Sequence, residues 1–198
     1  MDTKAIINEA VQVLRDGGVI LYPTDTVWGI GCDATNEKAV AKVFEIKKRS
    51  EAKSLVLLAC DLDMVAKYVK EIPNIAIDLV EVNDAPMTII YPGAQYLAPN
   101  AVAEDGSVGI RIPCVEDETL AGGGAFCREL VRRLRKPLVS TSANISGEPT
   151  PKSFKEISED IRSAVDYAVP RALEAGSTGR ASQIIKLGLG GEVEIVRA

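Results

Sequence analysis

Between Tyr22 and Asp33 the chain reads YPTDTVWGIGCD: two threonine hydroxyls, a carboxylate and two glycines, directly after the apolar run GGVIL. Three other places bring similar chemistry. Lys47, Lys48, Arg49 and Lys53 set four cations within seven residues; Ser107 and Arg111 flank VGI; Ser140, Ser142 and Asn144 follow PLV. Lysine and arginine supply charge for phosphate or carboxylate, and short hydroxyl side chains supply directional hydrogen bonds. A pocket assembled from these residues would be cationic and rich in hydroxyls, suited to one ligand bearing phosphates and another bearing a carboxylate.

Several reaction classes are absent. The chain has no histidine, so Ser-His or Cys-His activation, imidazole metal ligation and imidazole proton transfer are excluded, leaving Lys, Arg, Asp, Glu, Ser and Thr. Cys32, Cys60, Cys114 and Cys127 are widely spaced without a CxxC pair and read as small buried apolar residues rather than a zinc cage or disulfide framework. No GxxxxGK[ST] or GxSxG occurs, and Gly29-Ile30-Gly31 lacks the third glycine of a dinucleotide fingerprint. No metal-binding set is expected.

Helix-like and strand-like segments alternate along the chain. Ile6, Ala10, Val13 and Leu14 share a helical face that Gly17-Gly18 ends, and Val19 to Tyr22 reads as a strand. Asn36 caps a helix that buries Val40, Val43 and Phe44. LVLLAC is a strand, helices open at Asp61 or Asp63 and at Pro73, and Met87 to Tyr91 and Val108 to Ile112 are strands. Residues 117 to 135 are mostly helical apart from three glycines, Pro137 to Thr141 is a strand, and Ser153 with Glu156 forms a capping box for a helix reaching Ala164. Strands near 183 to 187 and 193 to 197 close the chain. The expected architecture is a single three-layer α/β domain, residues 1–198, with a twisted mixed sheet. The chemically active residues lie beyond strand ends, where such sheets collect ligands in a concave cavity.

With 198 residues, 46% hydrophobic and 26% charged, the chain fits one soluble domain. Its apolar runs are strand-length, and the N-terminus lacks a secretory pattern, so a cytoplasmic protein starting at Met1 is expected. A net charge of −5, from 23 basic and 28 acidic residues, argues against a generally basic nucleic-acid-binding surface. The run RELVRRLRK, 128 to 136, reads as the charged face of a helix.

YPTDTVWGIGCD, the Lys47-Lys48-Arg49 run with Lys53, SVGIRIP at 107 to 113, and STSANISG at 140 to 147 followed by PTPKSF resemble, in this order, the YrdC/TsaC family of L-threonylcarbamoyladenylate synthases. The resemblance runs from Gly17 to Arg197 and is similar in extent to the short, single-domain members. It implies condensation of L-threonine, bicarbonate and ATP, with Mg²⁺, to threonylcarbamoyl-AMP and pyrophosphate. Separate transfer proteins then pass the threonylcarbamoyl group to an adenosine of tRNA. It also implies Thr26, Arg111, Ser140 and Ser182 around L-threonine, and Arg49, Lys53, Ser107, Ser142, Asn144, Thr150 and Arg197 around ATP. Lys47, Arg49 and Lys53 would be catalytic by stabilising the departing pyrophosphate. Thr24 and Asp25 read as loop-shaping, and Trp28 equally as core or as a stacking ring. Gly29 and Gly31 read as letting the backbone bend close to ligand.

The chain departs from the family pattern at NDAPMT, 83 to 88, which puts the local pocket wall in question. Lys186 stands where many members carry an aspartate, and AGGGA, 121 to 125, resembles a local elaboration. The alternative function is an RNA-binding or regulatory module without synthase activity, and a weak tRNA or double-stranded RNA contact is a further partner expectation.

Overall fold

The computed structural model describes residues 2–49, 55–115 and 122–198. Nine strands among them form one mixed sheet ordered β7-β1-β2-β6-β3-β5-β4-β8-β9. They are β1 (Ile20–Tyr22), β2 (Gly29–Gly31), β3 (Val56–Leu58), β4 (Met87–Tyr91), β5 (Val108–Arg111), β6 (Leu138–Ser142), β7 (Tyr167–Ala168), β8 (Gln183–Leu187) and β9 (Val193–Arg197). The helices are α1 (Thr3–Arg15), α2 (Glu37–Lys47), α3 (Leu62–Tyr68), α4 (Asn74–Val82), α5 (Gly123–Leu134) and α6 (Glu159–Ala164). None is long and apolar enough to cross a membrane.

Local chemistry sets most boundaries. Asp2 caps α1 by accepting from the amides of Lys4 and Ala5, Asn36 caps α2 through the amide of Ala39, and Asp61 caps α3 through that of Met64. Gly17, at φ +82°, turns the chain after α1 in a conformation that a side chain would resist. The apolar face of α1, Ile6, Ile7, Ala10, Val11 and Leu14, is buried, and α1 packs on α5. These residues share one contiguous core with Leu57, Ile89, Phe126 and Leu138.

Three expectations need correction. Ser153 makes no side-chain cap; a 3₁₀ turn over Phe154–Glu156 precedes α6, and Glu156 Oε2 instead accepts from the amide of Lys152 at 2.9 Å. The segment GIG is a central strand, paired with β1 on one side and β6 on the other. A Cβ on Gly31 would stand 1.8 Å from the carbonyl oxygen of Val139, so this glycine permits close strand approach within the sheet. The glycines of AGGGA are not a break in α5: Gly122 is its N-cap and Gly123 and Gly124 form its first turn. Trp28 is 2% exposed; its indole donates to Glu174 at 2.8 Å and its ring lies 5.0 Å from that of Phe154.

Candidate active site

The first wall of the site is the loop leaving β1. Thr24 Oγ1 donates its one proton to the carbonyl of Val27 at 2.8 Å and accepts from the amide of Thr26 at 2.9 Å. With that proton committed, its 2.8 Å contact to Thr26 Oγ1 has Thr26 as donor. One lone pair of Thr26 faces Arg111 NH2 at 3.4 Å, and the other is left to accept from a ligand hydroxyl or amine. A threonine that shapes the loop thus also fixes how its neighbour meets the cavity.

The second wall comes from the ends of β5 and β6. Arg111 closes β5 with its side chain 4% exposed and bonds through NH1 to Asp25 Oδ1. Its NH2 lies 3.4 Å from Thr26 Oγ1. Ser140 and Ser142 leave β6 on the same side. The third wall is the C-terminal segment, where Ser182 Oγ lies 2.7 Å from Thr88 Oγ1 and the Ser182 carbonyl accepts from Arg197 Nε at 2.9 Å and NH2 at 2.6 Å.

These walls enclose a cavity of about 350 Å³ lined by Thr24, Thr26, Gly29, Arg49, Arg111, Ser140, Ser142, Thr150, Ser182 and Arg197, among others. Eight of the residues named from sequence therefore converge: Thr26, Arg49, Arg111, Ser140, Ser142, Thr150, Ser182 and Arg197. Three arginines face the cavity, and no carboxylate is among its described lining residues. The arginines in the lining favour anionic ligands, with Asp25, just outside it, compensating Arg111.

The other candidates lie elsewhere. Ser107 lines an adjoining hollow of about 450 Å³ that shares Val56 and Ile184 with the cavity. There Asp105 accepts from Ser107 Oγ at 2.5 Å and from Lys186 Nζ at 2.8 Å. Lys186 itself introduces no acid, but it stands beside one, and these two donors hold the Asp105 carboxyl well below its usual range. Lys47 is 2% exposed and outside the cavity lining, its Nζ donating to the carbonyls of Ser142 at 2.5 Å and Asn144 at 2.9 Å. Burial first, then the charge of Arg49, lowers its ammonium to about 8. Asn144 shapes the same turn, its Nδ2 donating to the carbonyl of Glu148 at 2.7 Å. Lys53 lies outside the described residues. Asn83, Asp84 and Met87 line a separate hollow, but Thr88 at the end of that altered segment supports Ser182.

Sequence reasoning undervalued two features. A Cβ on Gly123 would fall 2.3 Å from the Thr24 carbonyl oxygen, and one on Gly124 1.9 Å from that of Cys114. The glycine run seats α5 against the loop that carries Thr26 and against the segment that follows Arg111 at the end of β5. The other feature is Asp25, whose second oxygen accepts from the amide of Cys114 at 3.0 Å. The signal for the first was the glycine run itself; for the second, a lone aspartate offers none. Burial raises the thiols of Cys32, Cys60, Cys114 and Cys127, which disfavours their nucleophilic thiolate form. Cations of RELVRRLRK are engaged within the protein: Arg132 and Arg133 both bond to Glu129 on the same helix, Arg128 donates to the carbonyl of Cys60, and Lys136 pairs with Asp33.

The family model Sua5/YciO/YrdC, described as "Telomere recombination", matches residues 12–198. The chain belongs to this family. Among its relatives is a threonylcarbamoyl-AMP synthase of Stenotrophomonas maltophilia, 34% identical over an alignment of 166 residues that covers 81% of this chain and 83% of that one. Among solved structures, an alanine variant of P. abyssi Sua5 superposes at a TM-score of 0.81 with 25% identity. That match covers 100% of this chain and 57% of that one. P. abyssi Sua5 complexed with L-threonine matches at 0.75 with 26% identity, over 94% of this chain and 52% of that one. The chain thus spans about half the length of the two Sua5 structures.

Proposed function

We propose that this Sua5/YciO/YrdC family protein is an L-threonylcarbamoyladenylate synthase, condensing L-threonine, bicarbonate and ATP to threonylcarbamoyl-AMP and pyrophosphate. The observation that carries the reading is the convergence of eight separately placed side chains, Thr26 to Arg197, on one cationic hollow of about 350 Å³. The S. maltophilia relative's name and the threonine complex of P. abyssi Sua5 support it. Residues 1–198 are taken as a single YrdC-like domain acting in the cytoplasm, whose product passes to separate tRNA-modifying proteins.

The assignment follows the chemistry of each wall. Thr26, Ser140 and Ser182 hold the hydroxyl and amine of L-threonine and Arg111 its carboxylate. Arg49, Ser142, Thr150 and Arg197 receive ATP, whose bulk extends past Val56 and Ile184 toward Ser107. By the family pattern, Lys53 would act on the phosphates as well. Magnesium would enter with the nucleotide substrate and add to the charge compensation of the departing pyrophosphate. Lys47 and Asn144 act on the nucleotide through the turn they hold.

A wall with three arginines and no described carboxylate favours the neutral amine over the ammonium, and the neutral amine is the form that condenses with bicarbonate as water departs, or adds to carbon dioxide with its proton passing to solvent. The resulting carbamate anion is stabilised by the same field, and its oxygen attacks the α-phosphorus with pyrophosphate departing. No strong protein base is required. Holding the reactants in line can supply several of the ~7–11 kcal/mol available from proximity, and arginine charge compensates the leaving group.

The test is pyrophosphate release by the purified protein. Release should require ATP, L-threonine, bicarbonate and magnesium together. Binding of tRNA with no pyrophosphate release under any substrate combination would favour a binding module and overturn the synthase.

A further inference from the structure

We infer that Asp25 is a positioning residue for the substrate carboxylate, holding one nitrogen of the Arg111 guanidinium so that the amino acid meets the other. The inference rests on the cavity being a threonine site. Asp25 and Arg111 have side chains only 5% and 4% exposed, and an arginine so deeply placed needs an anionic partner. Asp25 supplies it without lining the cavity. One oxygen takes Arg111 NH1 and the other takes the amide of Cys114, so the carboxylate is fixed from both sides by the chain around the end of β5.

The geometry divides the guanidinium. NH1 is committed to Asp25, whereas NH2 is 3.4 Å from Thr26 Oγ1, a long contact that leaves capacity for a ligand oxygen. A carboxylate would therefore be received mainly through NH2, beside Thr26, rather than through a two-pronged fork. The backbone reinforces this register: the carbonyl of Asp25 accepts from the amide of Thr178, and that of Thr26 from the amide of Gly179. Asparagine cannot reproduce the arrangement, since its amide nitrogen must oppose either the Cys114 amide or Arg111, donor against donor.

Steady-state pyrophosphate release tests this with Asp25→Asn and Arg111→Lys. Asp25→Asn should raise the KM for L-threonine at least tenfold while the KM for ATP stays within twofold, a split that general loosening of the fold would not produce. Arg111→Lys keeps a cation for Asp25 but has one nitrogen for two tasks, so the protein should stay folded and lose threonine saturation. A folded Asp25→Asn protein with the wild-type threonine KM overturns the inference. Should Asp25→Asn fail to fold, Arg111→Lys decides, and a wild-type threonine KM in that variant overturns it equally. A wild-type protein that neither binds L-threonine nor releases pyrophosphate removes the functional reading and the inference together, an outcome distinct from either variant result.

Discussion

The ammonium of Lys47 lies 2.5 Å from the carbonyl oxygen of Ser142 and 2.9 Å from that of Asn144, bolting the last turn of α2 to the end of β6. The link is reciprocal, because the Lys47 carbonyl accepts from the amide of Ser146 at 2.9 Å. A residue on the helix that precedes Arg49 therefore sets the path of the chain through Ser142.

Lys47→Met keeps the bulk of the stem but removes the ammonium from both carbonyls: that of Ser142 keeps the amide of Asn144 at 2.9 Å, whereas that of Asn144 loses its donor. An unsatisfied buried acceptor costs about 1–3 kcal/mol. The expected result is a fall in Tm and a several-fold rise in the KM for ATP, with the threonine KM little changed. Unaltered Tm and ATP KM would show that the clamp holds nothing of importance.

The same amine makes stability depend on pH. Its ammonium is lowered from 10.5 to about 8, by burial first and by Arg49 second. Between those values the unfolded chain binds a proton that the folded chain has released, so this group's contribution to stability rises with pH across that window. Below pH 8 the buried charge is retained at a cost. Urea unfolding from pH 7.5 to 10 should show the wild type gaining stability relative to Lys47→Met; parallel curves would contradict the assignment.

Arg49→Ala should lower turnover well over tenfold with the fold intact, a loss of at least ~1.4 kcal/mol of transition-state stabilisation. Stopped-time pyrophosphate assays at saturating substrate, with circular dichroism as the fold control, provide the measurement. Wild-type turnover would remove Arg49 from the nucleotide site.

Gly124→Ala forces a methyl to within 1.9 Å of the Cys114 carbonyl oxygen and 3.3 Å of the Asp25 Cβ. Overpacking of this kind costs typically ~1–3 kcal/mol, and here it displaces the loops that hold Asp25 and Arg111. Tm should fall by several degrees and threonine KM should rise more than ATP KM. Gly122→Ala is the milder comparison: its added carbon meets only the Ala175 carbonyl at 3.4 Å, and as the N-cap of α5 it should cost only the ~1 kcal/mol or less of a poorer cap, with the threonine KM unchanged. Equal effects at both positions would refute the close-packing argument.

Much of the fold was legible because periodicity is local. The face of α1, the caps at Asn36 and Asp61, and the apolar runs that became β4, β8 and β9 all follow from side chains within a few residues of one another. β2 was not legible in this way. Gly29-Ile30-Gly31 has too little side chain to show a strand pattern, and it is a strand because Tyr22 and Thr141 neighbours pair with it from both sides. The capping box at Ser153 failed for the converse reason: its residues were suitable, but Glu174 takes the Phe154 amide at 2.7 Å and Glu156 turns back to Lys152.

The sequence by itself determined the chemistry available: hydroxyls and cations beyond strand ends, no histidine, and ordered motifs characteristic of one family. Only the tertiary structure decided how those groups are used. It sends Arg49 to the cavity and turns Lys47, two residues earlier, into a buried clamp, and it makes a lone Asp25 the partner of Arg111 across 86 positions. The physical reason is that a side chain's type fixes what it can bond, whereas its partner depends on which distant backbone the packed sheet brings within 3 Å.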